Sequence, residues 1–187
     1  MSALPDITLV LGGARSGKSR YAESLVERRP GSCVYLATAE AGDAEMAERI
    51  ARHKARRGER WTTVEEPLDL VGALEGCTRP DRAVLVDCLT LWLSNLLGAG
   101  RDVDSECEHL IGALPALGGP VVFVSNEVGL GVVPDNALAR RFVDHTGRLH
   151  QSLAAAAPSV VVMTAGIPMH IKGPGAPRRS EPEVSVP

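Results

Sequence analysis

Residues 12–19 run Gly12-Gly13-Ala14-Arg15-Ser16-Gly17-Lys18-Ser19 and fit the pattern G-x-x-x-x-G-K-[ST]. Each fixed position has a physical role. Glycines let the backbone wrap closely around a phosphate with its N–H groups turned inward. A helix opening at the end of the octet adds the positive end of its dipole. Lys18 supplies a point charge for the β- and γ-phosphates, and the Ser19 hydroxyl suits Mg²⁺. The flanks agree, because 7–11 reads as a buried strand and 19–29 as a helix. The octet therefore predicts a nucleoside triphosphate site.

A second group of reactive residues lies on a helix expected over 43–57. Arg49, His53 and Arg57 follow an i, i+4, i+8 row and share one face, flanked by Lys54 and Arg56. Neighbouring cations oppose protonation, so His53 should favour its neutral, nucleophilic form. The same cations attract phosphate. Together they form the parts needed for covalent attack on a nucleoside phosphate. The row also suits a solvated helix face with no chemistry. His109, His145, His150 and His170 show no metal-ligand spacing.

Four acidic residues stand at the ends of expected elements. Asp87 closes an apolar run and suits a magnesium-site carboxylate, or else the N-cap of a helix starting near Leu89. Glu65 and Glu66 precede Pro67, where either favours a helix N-terminus. Glu127 follows Val-Ser-Asn, placed to orient a substrate hydroxyl or water, or to make a structural hydrogen bond.

The elements that must position these residues alternate. Strands are expected at 7–11, 33–37, 83–86, 121–124 and 160–163, each a continuous apolar run of the kind found in parallel sheets covered on both faces. Helices are expected at 19–29, 43–57, 68–74, 90–97, 105–114 and 135–156. This predicts a doubly wound α/β fold with a mostly parallel sheet flanked by helices. The phosphate loop, Thr38, 87–90, 125–127 and 164–166 all fall just past a strand C-terminus, where such sheets place ligands.

The bulk properties narrow the class. A chain of 187 residues with 44% hydrophobic content makes one domain with a core. A net charge of −3 argues against nucleic acid as a main partner. Cys33, Cys77, Cys88 and Cys107 form no C-x-x-C pair, as expected of free thiols in a reducing compartment. The apolar stretches at 89–99 and 159–169 are too short or interrupted to span a bilayer, and no leader-like segment precedes the first strand. A cytoplasmic protein is expected, with 1–172 as a single domain and 173–187, rich in proline and glycine, as a flexible tail.

Several stretches together resemble the bifunctional adenosylcobinamide kinase / adenosylcobinamide-phosphate guanylyltransferase family. They are the octet at 12–19, Tyr-Leu-Ala-Thr at 35–38, Arg-Ile-Ala-Arg-His-Lys at 49–54, the segment 61–67 and Val-Asp-Cys-Leu-Thr at 86–90. Val-Ser-Asn-Glu-Val-Gly-Leu-Gly-Val-Val-Pro at 124–134 and the segment 139–151 complete the set. The resemblance implies a RecA-like phosphate-loop NTPase core and two reactions on one corrinoid. Adenosylcobinamide is first phosphorylated with ATP or GTP. The adenosylcobinamide-phosphate then receives GMP from GTP, through a histidine that carries GMP covalently. The matching histidine is His53. The nucleotide-contacting positions carry over as 12–19, Ala37, Thr38, Ala39, Lys54, Ala55, Arg56, Arg57, Glu65 and Asp87, with Mg²⁺ at Ser19 and Asp87. A homo-oligomer, trimeric in the family, is also implied. The chain departs from the family pattern at Asp87, where some members carry glutamate, and at His150, where asparagine precedes the glutamine. Two other readings are a monofunctional small-molecule kinase and a nucleotide-switched module. The chain holds no N-K-x-D element, so guanine preference follows from the resemblance alone.

Overall fold

The computed structural model describes residues 7–39 and 58–177. Seven strands form one sheet in the order β3-β2-β4-β5-β1-β6-β7. They are β1 (Ile7–Gly12), β2 (Ser32–Ala37), β3 (Trp61–Glu65), β4 (Arg82–Asp87), β5 (Val121–Asn126), β6 (Ser159–Thr164) and β7 (Ile167–Lys172). Every pairing is parallel except that of β6 with β7. Five α-helices are described: α1 (Lys18–Glu27), α2 (Leu70–Cys77), α3 (Leu89–Gly98), α4 (Val103–Ala113) and α5 (Ala137–Ala156). None of the described helices is long and apolar enough to cross a membrane.

The two faces of the sheet bury separate apolar layers, because side chains alternate along each strand. Leu9, Leu36, Val84, Val86, Val121 and Phe123 meet α2 to α5 on one face. Val10, Tyr35, Leu85, Val122, Val124 and Met163 lie on the other, packed with Ala22 and Val26 of α1. Burying each such strand side chain stabilises by roughly 1.5–3 kcal/mol.

All five expected strands are present, and two more extend the sheet. β3 (Trp-Thr-Thr-Val-Glu) is an edge strand with polar residues interleaved, so it lacks the continuous apolar run of a central strand. β7 carries Pro168, which an edge strand tolerates and a central one does not. Helix starts are set by caps. Asp69 accepts the Gly72 N–H for α2, Asp102 that of Ser105 for α4, and Asn136 those of Leu138 and Ala139 for α5. These caps place α4 and α5 within two residues of their expected starts. The helix expected at 43–57 lies outside the described residues.

Candidate active site

The phosphate loop leaves β1 and turns into α1 through two left-handed residues, Arg15 at φ 57° and Gly17 at φ 93°. The turn is closed by Ser16 N–H donating to the Gly13 carbonyl at 3.3 Å. Gly12 is required for packing. A Cβ there would lie 2.6 Å from Ser16 Oγ and 2.7 Å from the Met163 carbonyl oxygen. Neighbouring connections hold the loop from both sides. Glu127 N–H donates to Gly12 O and Gly166 N–H to Ser16 O, each at 3.0 Å.

Lys18 is only 7% exposed. A lysine so buried needs polar partners, and its Nζ donates to Gly13 O at 3.1 Å, folding back over the loop. Ser16 Oγ is buried over Gly12 with no hydrogen-bond partner among the described residues. A hydroxyl in that position suits an incoming phosphate oxygen. Three of the five described α-helices begin with a side-chain cap; α1 and α3 do not. Neither α1 nor α3 carries an acid in its first turn. α1 opens from the phosphate loop, and α3 opens directly after Asp87.

Strand register brings the other expected residues to the same edge. Ala37 pairs with Glu65 on one side and with Asp87 on the other, so these three form a row across β3, β2 and β4. Asp87 is not the N-cap of α3. Cys88 holds that position, and the Asp87–Cys88 peptide is cis. Asp87 instead follows Leu85 onto the α1 face, where its Oδ2 accepts the Tyr35 hydroxyl at 3.1 Å. β5 stands between the two halves of the site, with Asn126 opposite Gly12 and Val124 opposite Asp87. Asn126 Nδ2 donates to Thr90 Oγ1 at 2.8 Å, linking β5 to the first turn of α3.

Thr38 has a structural role at this edge. Its hydroxyl donates to Cys88 O at 2.8 Å and accepts from Cys88 N–H at 2.9 Å, with the residue fully buried. The Asn95 amide then donates to Thr38 O at 2.7 Å and to Pro67 O at 3.2 Å. Of the two acids before α2, Glu66 supports the helix entry by accepting the Leu68 and Asp69 N–H groups. Glu65 stays on β3, and Ala39 follows Thr38 past the end of β2. His53, Lys54, Ala55, Arg56 and Arg57 lie outside the described residues.

Some participants were not legible as such. Tyr35 sits in an apolar buried strand, and its phenol was the available signal, since a buried hydroxyl needs a partner. His150, from α5, holds Ser125 Oγ at 2.7 Å through Nε2. Burial pushes its pKa below the ordinary 6.5, opposed by the nearby Glu127 carboxylate. The pair lies 25 residues apart in sequence, with no local pattern to announce it.

The described residues hold no cluster of three or more His, Cys, Asp or Glu side chains able to cage a metal. Mg²⁺ does not require one. It takes hard oxygen donors, keeps several waters, and binds through one or two carboxylates and the substrate phosphates. Ser19, in the first turn of α1, and Asp87 supply oxygen donors of that kind.

A phosphate loop at the C-terminal edge of a parallel sheet, with its strand separated from the Asp87 strand by β5, defines a phosphate-loop NTPase fold and a nucleotide-binding site. Solved structures agree on the fold. An ATPase of a bacterial type III secretion system aligns with a TM-score of 0.54 at 12% identity, over 87% of this chain and 53% of that one. A Pyrococcus horikoshii protein aligns at 0.52 and 11%, over 92% and 89%. The family model for cobinamide kinase / cobinamide phosphate guanyltransferase matches residues 8–171, and the chain belongs to that family. It is 51% identical over 167 residues to the bifunctional adenosylcobalamin biosynthesis protein CobP of Pseudomonas aeruginosa, covering 88% of this chain and 96% of that protein. It is 42% identical over 179 residues to the CobU protein of Salmonella typhimurium, covering 88% and 98%.

Proposed function

We propose that the protein phosphorylates the hydroxyl of adenosylcobinamide with ATP or GTP and then transfers GMP from GTP to the product phosphate. The observation that carries this reading is the phosphate loop, built around Gly12 and Gly17, in a chain that belongs to the kinase and guanyltransferase family.

In the first reaction the loop N–H groups, the α1 N-terminus and Lys18 bind the phosphates and offset charge on the transferred group. Ser19 and Asp87 would hold a Mg²⁺ ion, which would supply electrostatic stabilisation of the phosphates. Tyr35 fixes the Asp87 carboxylate by hydrogen bonding. In the second reaction the neutral His53 imidazole attacks the α-phosphorus of GTP. A P–N bond forms, the P–O bond to pyrophosphate breaks, and pyrophosphate leaves. A phosphate oxygen of the corrinoid then attacks the same phosphorus, breaking the P–N bond and releasing His53. Arg49, Lys54, Arg56 or Arg57 offsets the added negative charge.

Residues 1–172 form the catalytic domain and 173–187 a tail. Four free thiols fit a cytoplasmic setting. Self-association, as a trimer, follows from the family resemblance; edge strand β7 leaves Ile167, Met169 and Ile171 each more than half exposed, which suits contact with another copy.

The test uses GTP labelled at the α-phosphate. The wild-type protein should form an acid-labile covalent GMP adduct. His53→Ala should form none and lose guanylyl transfer, while retaining phosphorylation of adenosylcobinamide. Equal loss of both reactions would refute the division of labour. Absence of the adduct in the wild type would favour a plain kinase.

A further inference from the structure

The connection from β5 to α5 is held by polar contacts at both ends and is apolar between them. At its root, Glu127 N–H donates to Gly12 O of the phosphate loop at 3.0 Å, and the Glu127 carboxylate accepts the Gly129 N–H at 2.6 Å. At its far end, the Arg140 guanidinium donates to Pro134 O at 2.9 Å and Asp135 O at 2.7 Å, next to the Asn136 cap of α5. Between these anchors Leu130 is 90% exposed, Val132 95% and Val133 74%, with Leu138 at 58% on the first turn of α5. Scattered single apolar residues on a surface need no explanation; several within one anchored connection beside an active site mark a binding surface.

We propose that Leu130, Val132 and Val133 form the platform on which the corrin macrocycle of the substrate rests. The inference rests on the kinase and guanylyltransferase reading above. A corrinoid is a large ring edged with both methyl groups and amide-bearing arms, its reacting hydroxyl ends one of those arms, and it is the methyl-lined part of the ring that an apolar platform would hold. That hydroxyl must meet the terminal phosphate at the phosphate loop, so the ring has to land within one arm's length of it. The root of the connection is bonded directly to Gly12, the first residue of the phosphate loop. This continuity with the nucleotide site selects the substrate over a second copy of the chain, for which the exposed residues of edge strand β7 are the better surface. The glycines fit the same purpose. A Cβ at Gly131 would meet nothing within 4 Å, so that residue is not required for packing. The platform accounts for binding of the ring and takes no part in the chemistry, so it should affect substrate affinity uniformly in ground and transition states.

The experiment compares the full-length wild type with the triple variant Leu130→Ser/Val132→Ser/Val133→Ser and the single variant Leu130→Ser. Kinase kinetics are measured with adenosylcobinamide as the varied substrate at saturating ATP. Nucleotide affinity is measured by equilibrium titration, and assembly mass by sedimentation velocity. The triple variant should raise KM for adenosylcobinamide tenfold or more and the single variant about threefold. In both, kcat and nucleotide Kd should stay within twofold and the mass should not change. An unaltered KM in both variants, with the wild type active, overturns the platform alone. A change in assembly mass also overturns it and assigns the connection to a second copy. A wild type that does not phosphorylate adenosylcobinamide overturns the functional reading and the platform with it.

Discussion

The connection from β1 to α1 and that from β5 to α5 leave adjacent, register-paired strand ends, yet they are built on opposite principles. In the first, Gly12 touches its surroundings so closely that a methyl group would collide, and the loop is closed on itself and on two neighbours by backbone hydrogen bonds. Lys18 folds back over it onto the Gly13 carbonyl. In the second, a Cβ at Gly131 would meet nothing within 4 Å, the hydrogen bonds to described residues lie at the ends, and the apolar side chains are exposed. The difference follows from what each must hold. A phosphate requires fixed N–H groups at fixed distances. The methyl-lined part of a large ring requires contact area, which tolerates looser geometry.

The sharpest way to break this comparison is to remove charge from the first connection. Lys18→Ala should lower both phosphoryl and guanylyl transfer by about 10²-fold or more, the usual cost of losing a group that stabilises transition-state charge. Near wild-type rates with ATP and GTP would refute the assignment of the octet. A milder contrast comes from matched glycine substitutions. Gly12→Ala should destabilise the fold by about 1–3 kcal/mol through overpacking against the Met163 carbonyl, whereas Gly131→Ala should stay within about 0.5 kcal/mol. Urea unfolding of both variants measures this, and equal losses would erase the distinction.

The smallest expected effect concerns His150, beneath the root of the second connection. Its folded pKa lies below its ordinary value of 6.5 because burial disfavours the imidazolium. Below pH 6.5 the unfolded chain therefore binds more protons than the folded one at this site. The stability contributed by neutral His150 is complete above pH 6.5 and declines as pH falls from there toward the folded pKa, at no more than about 1.4 kcal/mol per pH unit. His150→Asn should remove this acid-limb slope. Urea denaturation across pH 5 to 7.5 checks it, and parallel slopes in the two proteins would show that the Ser125–His150 pair does not titrate on unfolding.

Much of the site was legible because its chemistry is local in sequence. The octet carries its turn glycines, its lysine and its hydroxyl within eight residues, so spacing alone specified the cradle. The five inner strands announced themselves by continuous apolar runs, since both their faces are covered. The edge strands β3 and β7 did not, because an edge position relaxes that demand and admits polar residues and Pro168. Asp87 stood out as an acid at a strand end, but whether it capped α3 or faced the site depended on Cys88 taking the cap and Tyr35 reaching it across β2 and β4.

The sequence by itself determined the phosphate loop, the parallel α/β core and, through its resemblance to a known family, the two reactions and the candidacy of His53. Those properties depend on residue spacing along short segments. Only the tertiary structure decided that Thr38 braces the Cys88 backbone, that β5 stands between the phosphate loop and Asp87, and that His150 reaches Ser125. It also placed the exposed apolar connection beside Gly12. Strand order and helix placement are set by the summed burial of two apolar layers, and contacts between residues far apart in sequence exist only once those layers have formed.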